Sequence, residues 1–153
     1  MNGKVLKVSN VEPGTSLLEF LRSKDTPLTG TKLSCGEGGC GACTVHLSHW
    51  DPSQHKVVHK GVLSCLAPFH SVDGHSVLTV EGIGNVTQMH PIQEQMVLKQ
   101  VSQCGYCTPG IVMALHSYLH GHPNATKEEI ENSLGGNLCR CTGYRPILDA
   151  AKE

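Results

Sequence analysis

The stretch Ser34-Cys-Gly-Glu-Gly-Gly-Cys-Gly-Ala-Cys43 places three cysteines and four glycines within ten residues. Its cysteines, Cys35, Cys40 and Cys43, are separated by gaps of four and two residues, and Cys65 follows 22 positions later. Three thiolates from one loop and a distant fourth form the spacing with which plant-type ferredoxins hold a [2Fe–2S] cluster. Glycines let such a loop wrap tightly and point its amide N–H groups at the sulfurs. The stretch therefore predicts an iron–sulfur site.

Two other interpretations of this loop are weaker. A phosphate-binding loop would end in Gly-Lys-Ser or Gly-Lys-Thr, and this loop does not. A zinc site with four cysteine ligands favours closely spaced cysteines in pairs. The glycine-rich loop, with its gaps of four and two residues, is more specific for iron–sulfur.

A second set of four cysteines lies in the other half of the chain, at Cys104, Cys107, Cys139 and Cys141. One C-x2-C pair and one C-x-C pair predict a second small cluster, held at the ends of helices. By spacing alone a structural zinc ion remains a rival, because zinc favours four tetrahedral cysteine ligands. A thioredoxin-like redox pair is disfavoured, because that motif accompanies a βαβ pattern that the sequence lacks.

Composition and charge argue against several functional classes. The formal net charge is −1, from 12 Lys and Arg against 13 Asp and Glu. The chain therefore lacks the excess of positive charge that is typical of nucleic-acid-binding proteins. No apolar run approaches the roughly 20 residues of a membrane span, and the N-terminus lacks the apolar core of a signal peptide. We therefore expect no nucleic-acid or membrane partner and a cytoplasmic location. Eight cysteines in that reducing compartment are better explained as metal ligands than as disulfides.

The hydrophobic pattern predicts an α+β fold in two parts. In the first half, Ser16 and Glu19 form a capping box that begins a helix. Around it, strands are predicted at residues 4–8, 44–47, 56–59 and 76–80.

The pattern changes at Gly82, where strands give way to helices. Helices are predicted at residues 91–101, from Pro109 to about residue 120, from Thr126 to about residue 134, and at residues 146–151. The predicted division is a first domain at 1–82, a linker at 83–90 and a small four-helix bundle at 91–153.

Four segments of the chain resemble the xanthine dehydrogenase and aldehyde oxidase family of molybdenum hydroxylases. Residues 30–47 resemble its ferredoxin domain, and Val80-Glu-Gly-Ile-Gly84 resembles its interdomain segment. Gln103-Cys-Gly-Tyr-Cys-Thr-Pro-Gly110 and Gly136-Asn-Leu-Cys-Arg-Cys-Thr-Gly-Tyr-Arg-Pro146 resemble its helical [2Fe–2S] domain. The resemblance implies a β-grasp, plant-type ferredoxin-like domain followed by a four-helix bundle with a second [2Fe–2S] cluster.

The resemblance also implies an electron path and a set of partners. In that family a large enzyme carries two [2Fe–2S] clusters, an FAD domain and a molybdopterin domain, and we expect the complete enzyme to be dimeric. The helical cluster would lie next to the molybdopterin, and the ferredoxin-like cluster would pass electrons to FAD. Gln103 matches the pterin-contacting glutamine, and Cys141 matches the pterin-side ligand. One departure is Val101-Ser102, which stands where a Gly-Ser pair is expected before Gln103.

The sequence therefore predicts the electron-transfer module of an oxidoreductase. The chain alone is not expected to turn over an organic substrate, because it has no group placed for proton abstraction or nucleophilic attack. The long spacing between Cys43 and Cys65 is more typical of the eukaryotic single-chain enzymes, so we expect the N-terminal part of a longer chain rather than a small subunit. The rival from another class is a ferredoxin-like domain joined to a zinc-stabilised helical binding module.

Ten histidines are spread along the chain. His116 and His120 lie four residues apart on a predicted helix, with His122 just beyond, but no carboxylate lies beside them to complete a metal site. The zinc-protease motif would also need a Glu directly after the first His. We therefore expect surface or helix-capping roles for the histidines.

Overall fold

The computed structural model describes all residues from 1 to 153. Its elements are α1 (Leu17–Leu21), β1 (Thr44–Asp51), β2 (Lys56–Leu63), a 3-10 turn (Phe69–Val72), β3 (Ser76–Leu78), α2 (Val80–Ile83), α3 (Pro91–Leu98), α4 (Thr108–Gly121), α5 (Lys127–Ser133) and α6 (Arg145–Ala151). Strands are confined to the first half and helices dominate the second, which confirms the α+β class. None of the helices combines the length and the apolar character that crossing a membrane requires.

The first half is a small antiparallel sheet with one helix packed on it. The strand order is β2-β1-β3, and β1 pairs along its whole length with β2, from Thr44 opposite Leu63 to Asp51 opposite Lys56. The predicted capping box begins α1, since the side chain of Ser16 accepts from the N–H of Glu19 and the carboxylate of Glu19 accepts in return. The core beneath α1 consists of Leu17, Leu21, Val45, Val72 and Val77.

The predicted strand at residues 4–8 is wrong, because this segment has no strand pairing. Asn2 donates its N–H to the carbonyl of Val77 over 2.9 Å, but Asn2 and Gly3 then adopt positive φ angles of 47° and 75°. The N–H of Lys4 returns to the carbonyl of Met1, which closes a turn. This turn directs the following residues away from the edge of the sheet and leaves Val5 89% exposed.

The strand predicted at 76–80 ends two residues earlier than expected, at Leu78. The side chain of Asn2 accepts the backbone N–H of Thr79 over 2.9 Å and donates to its hydroxyl. These bonds replace the next step of the strand ladder, and Val80 begins α2 instead.

The four helices predicted for the second half are confirmed as α3 to α6. Helix α3 ends earlier than predicted, at Leu98, because Gln100 adopts a positive φ of 52°. The second predicted capping box, between Thr126 and Glu129, begins α5. The helical core consists of Met96, Val101, Ile111, Val112, Leu115, Leu134, Cys139, Ile147 and Ala150.

Helix α2, at the end of the first half, contacts both halves of the chain. Val80 and Ile83 of α2 pack against the helical core, while the carboxylate of Glu81 accepts the N–H of Gly30 over 2.7 Å. Helix α4 packs across β1 and β2. The domain division at residues 82 and 91 remains a prediction.

The halves approach each other closely at two glycines, Gly41 and Gly110. A methyl group added at Gly110, in the first turn of α4, would meet the carbonyl oxygen of Gly41 and lie 2.9 Å from the Cα of Ala42. Both contacts are with backbone, which cannot rotate aside as a side chain can. The fit between α4 and the first cysteine loop therefore requires glycine at position 110.

We expect Gly110→Ala to destabilise the protein by about 1–3 kcal/mol, because the added methyl group pushes α4 away from the loop. Gly136→Ala is the matched control, since a methyl group there has no neighbour within 4 Å. Unfolding of both variants can be followed by circular dichroism in denaturant. Equal stability of the two variants would show that the contact at Gly110 does not hold the halves together.

Candidate metal centres

The β1–β2 hairpin brings the first four cysteines together. Cys43 stands directly before β1, Cys65 stands just after β2, and the register pairs Thr44 with Leu63. The hydroxyl of Ser64 donates to the carbonyl of Cys43 over 2.7 Å, and the N–H of Ser64 donates to the same oxygen. A separation of 22 residues in sequence thus becomes a direct contact in space.

Three of the four glycines of the first loop adopt the positive φ angles that glycine permits, and Gly39 does not. Gly38 and Gly41 have φ angles of 78° and 71°, a region that residues with a side chain rarely adopt. A methyl group on Gly41 would also lie 2.6 Å from the carbonyl oxygen of Gly136. Gly41 is therefore needed both for the turn of the loop and for its contact with the helical half.

The side-chain hydrogen bonds of the first set join Cys35 with Cys40 and Cys43 with Cys65, and a weaker charge interaction also links Cys43 to Cys40. A hydrogen bond from the backbone N–H of Glu37 is the main reason that the pKa of the exposed Cys35 falls to about 7. Burial raises the pKa of Cys43 to about 11, with a further contribution from Cys65. Loop amides therefore favour a thiolate at one end of the set, while the other end lies inside the protein.

The second set is built from two loops at the ends of helices. Cys107 directly precedes α4, and Cys139 lies in the loop between α5 and α6. The hydroxyl of Tyr144 accepts the backbone N–H of Cys139 over 3.0 Å, and Tyr144 itself caps α6 with a positive φ of 70°. The hydroxyl of Thr142 lies 3.0 Å from the sulfur of Cys139. Tyr144 and Thr142 therefore position the C-x-C loop.

The side-chain hydrogen bonds of the second set join Cys104 with Cys141 and Cys107 with Cys139, and weaker charge interactions also link Cys104 to Cys139 and to Cys107. A hydrogen bond from the backbone N–H of Tyr106 is the main cause of the lowered pKa of Cys104. Burial raises the pKa of Cys107 to about 11, and Cys139 adds to that shift. As in the first set, one pair is more exposed and the other is more buried.

Two pairs of thiols fit a two-iron cluster, in which each iron takes two cysteine ligands. A single tetrahedral zinc would instead hold all four sulfurs about 3.8 Å from one another, given Zn–S bonds of about 2.3 Å. No three of the cysteine sulfurs lie within 4.8 Å of one another. All eight cysteines are free of disulfides. Both sets therefore fit a [2Fe–2S] cluster better than a zinc ion.

The loops of the two sets touch each other directly. The N–H of Leu138 donates to the carbonyl of Cys40 over 3.0 Å. The side-chain amide of Asn137, which is buried, donates to the carbonyl of Gly41 over 3.2 Å. The hydroxyl of Tyr106 also donates to the carbonyl of Leu33. No pattern in the sequence marked Asn137 or Tyr106 as contacts between the halves, because each bonds to a backbone group remote in sequence.

The structure places Gln103, Cys104 and Cys141 on the exposed side of the second set. Gln103 adjoins Cys104 in sequence, and the thiol of Cys104 contacts that of Cys141. Val101, which stands where a glycine was expected, is only 2% exposed and packs into the helical core. The departure from the family pattern is thus accommodated by burial of its side chain.

Comparisons with known proteins agree with these two sites. Residues 1–70 match the model of a 2Fe-2S iron–sulfur cluster binding domain, and residues 79–152 match that of a [2Fe-2S] binding domain. The chain is 56% identical over 148 residues to xanthine dehydrogenase/oxidase of Rattus norvegicus, covering 97% of this chain, and 50% identical over 153 residues to aldehyde oxidase 2 of Mus musculus, covering 99%. The chain belongs to the xanthine dehydrogenase and aldehyde oxidase family. It spans 11% of the length of each of these two relatives.

A solved structure supports the same assignment. The chain resembles quinoline 2-oxidoreductase of Pseudomonas putida 86 with a TM-score of 0.80 and 34% identity, over 94% of this chain and 82% of that one. The expected family and the two [2Fe–2S]-binding domains are thereby confirmed, and this chain corresponds to the iron–sulfur segment of its relatives. The zinc-stabilised rival is not favoured. The assignment of each cysteine as a ligand remains a prediction.

The expectation for the histidines needs correction. His90 does cap a helix, since its Nδ1 accepts the N–H of Ile92 at the start of α3. His46 and His116, however, are only 3% and 4% exposed, and they meet each other at the contact between the sheet and α4. The sequence separates them by 70 positions, so no local pattern showed the contact.

We expect Thr142→Val to lower the midpoint potential of the second cluster, because a hydrogen bond to a ligand sulfur stabilises the reduced, more negative state. The shift should be at most about 60 mV, which corresponds to one hydrogen bond of about 1.4 kcal/mol on a one-electron couple. Thr142→Ser keeps the hydroxyl and should leave the potential unchanged.

Redox titration followed by electron paramagnetic resonance measures both clusters in one sample, so the first cluster serves as an internal reference. A shift of both potentials, or of neither, would contradict a hydrogen bond specific to Cys139.

Proposed function

We propose that this chain relays single electrons from a molybdopterin centre to FAD within a molybdenum hydroxylase. The observation that carries the proposal is the direct contact between the two cysteine loops, in which the N–H of Leu138 bonds to the carbonyl of Cys40. Cys139 adjoins Leu138, and Cys40 belongs to the first set. A short, continuous path of covalent and hydrogen bonds therefore joins one candidate centre to the other.

Each candidate centre has an exposed end and an end inside the protein. Cys104 and Cys141 are exposed in the second set, and Cys35 is exposed in the first. Cys139 and Cys43 are buried. This arrangement supports a relay, because electrons need an accessible ligand at each entry or exit and a protected passage between the two centres.

The chain's own residues hold the centres and set their environment. Cys35, Cys40, Cys43 and Cys65 would hold one cluster, and Cys104, Cys107, Cys139 and Cys141 the other. When bound, the clusters would supply one-electron carriers between a two-electron oxidation of substrate and a flavin. Asn137 and Tyr106 fix the loops against each other. Gly41 and Gly110 allow their close approach.

We propose that Gln103 and Cys141 face the molybdopterin. The molybdopterin itself would be bound by a partner domain or subunit that this chain does not contain. The exposure of Gln103 and Cys141, and the contact of Cys141 with the neighbour of Gln103, support one shared docking patch. We place FAD near Cys35 and Glu37, which are the exposed part of the first loop. The end of that loop, at Gly41 and Ala42, is buried and serves the contact with the helical half.

The complete enzyme is proposed to be dimeric and to work in the cytoplasm. Eight free cysteines support a reducing compartment. This chain spans 11% of the length of each of the two mammalian relatives. This supports the proposal that FAD and molybdopterin are bound by partner domains.

In the assembled enzyme, we expect Gln103→Ala to slow reduction of the iron–sulfur clusters by substrate by roughly tenfold, because Gln103 would no longer position the pterin. Transfer from the clusters to FAD should stay unchanged. Gln54→Ala is the matched control, since Gln54 is an exposed glutamine in the β1–β2 turn.

Rapid mixing with substrate under anaerobic conditions resolves the two steps by their absorbance. An unaffected first step in Gln103→Ala, or an equal loss in Gln54→Ala, would remove the basis for placing the pterin beside Gln103.

A further inference from the structure

Five histidines meet where α4 crosses the sheet. His46 lies on β1, His59 on β2, His90 at the start of α3, and His116 and His120 on α4. Nδ1 of His46 is 2.8 Å from Nδ1 of His116, and Nε2 of His46 is 2.9 Å from Nδ1 of His59. The ring centroids of His116 and His120 are 4.3 Å apart. The cluster is separate from both cysteine sets.

We propose that His46, His116 and His120 form a binding site for a divalent transition metal ion, with Zn²⁺ as its simplest occupant. One ring nitrogen from each of the three lies within 4.8 Å of the other two. Nitrogen ligands on tetrahedral zinc lie about 3.3 Å apart, given Zn–N bonds of about 2.0–2.1 Å. The spacing in a zinc site therefore falls between the 2.8 Å that separates Nδ1 of His46 from Nδ1 of His116 and the 4.8 Å within which all three ring nitrogens lie. Small rotations of the rings would bring the nitrogens to that spacing.

The set of ligands selects the class of metal. Three imidazoles without a carboxylate or thiolate suit zinc, copper or nickel, whereas calcium and magnesium require oxygen ligands. Three protein ligands also leave the fourth tetrahedral position to water. His46 and His116 are buried and His120 is exposed, so His120 provides the route by which an ion enters.

His59 orients the buried ligand His46. If Nε2 of His46 donates to Nδ1 of His59, the other nitrogen of His46 carries a lone pair that faces His116. This is the tautomer that a metal requires. Ligating histidines are commonly held in this way by a hydrogen bond from their second ring nitrogen. His90 stays outside the site, because it is not one of the three histidines whose ring nitrogens lie within 4.8 Å of one another.

Protonation of the three imidazole rings does not compete strongly with metal binding at this site. Burial is the main cause that lowers the pKa of His46 to about 4 and the pKa of His116 to about 3, and neighbouring histidines add to both shifts. The pKa of His120 is also lowered, first by burial. All three rings are therefore neutral near pH 7, and neutral imidazole is the form that binds metal.

A metal ion at this position would join the two halves of the chain. His46 comes from the sheet, and His116 and His120 come from the helical half. The ion would bind only when α4 lies against β1, so it would stabilise that arrangement by mass action. This link between β1 and α4 would be separate from the contact between the cysteine loops.

The test is a titration of Zn²⁺ into the cluster-loaded full chain, followed by isothermal calorimetry and by elemental analysis after gel filtration. We expect one zinc per chain beside four irons. His120→Ala should weaken the affinity for zinc by more than about tenfold, because loss of even an outer partner of a ligand commonly costs that much. Zinc should also raise the unfolding midpoint of the unaltered protein and not that of His120→Ala.

His122→Ala is the matched control, because His122 is an exposed histidine two positions further along that contacts Tyr118 and not the cluster. It should bind zinc like the unaltered protein. His120 is itself exposed, and unchanged visible circular dichroism of the clusters verifies the fold of each variant. Absence of bound zinc, equal affinity in His120→Ala and His122→Ala, or zinc uptake matched by loss of iron would overturn the proposal.

Discussion

The hydrogen bond from the N–H of Leu138 to the carbonyl of Cys40 is the contact on which the arrangement of this molecule depends. It joins a loop of the helical half to the loop that carries the first three cysteines. Gly41 and Gly110 permit this approach, because a side chain at either position would meet backbone atoms of the other half. The buried amide of Asn137 adds a second bond across the same contact. Together these groups fix the distance between the two candidate centres.

Helix α4 connects that contact to the rest of the fold. Its first turn follows Cys107 and contains Gly110, so its position sets both the second cysteine set and the contact between the loops. About two and three turns further along, His116 and His120 face His46 of the sheet. One helix therefore links the metal centres to the histidine cluster. A displacement of α4 would disturb all three sites.

Much of the fold could be predicted from short-range patterns. The cysteine spacings identified both candidate sites, and the capping boxes at Ser16 and Thr126 marked the starts of two helices. The absence of a strand at residues 4–8 does not follow from the hydrophobic pattern, because the turn at Asn2 and Gly3, closed by the bond from Lys4 to Met1, directs the segment away from the sheet. The contacts of His46 with His116 and of Gly41 with Asn137 join residues 70 and 96 positions apart, and no local pattern encodes them.

We expect the two clusters to lie close together because their loops touch. Electron paramagnetic resonance of the fully reduced, cluster-loaded chain tests it most directly, since each reduced [2Fe–2S] cluster carries one unpaired spin. We predict that the two signals are broadened or split by magnetic interaction when both clusters are reduced, and that this effect is absent when only one is reduced. A fully reduced spectrum equal to the sum of two isolated signals would contradict it.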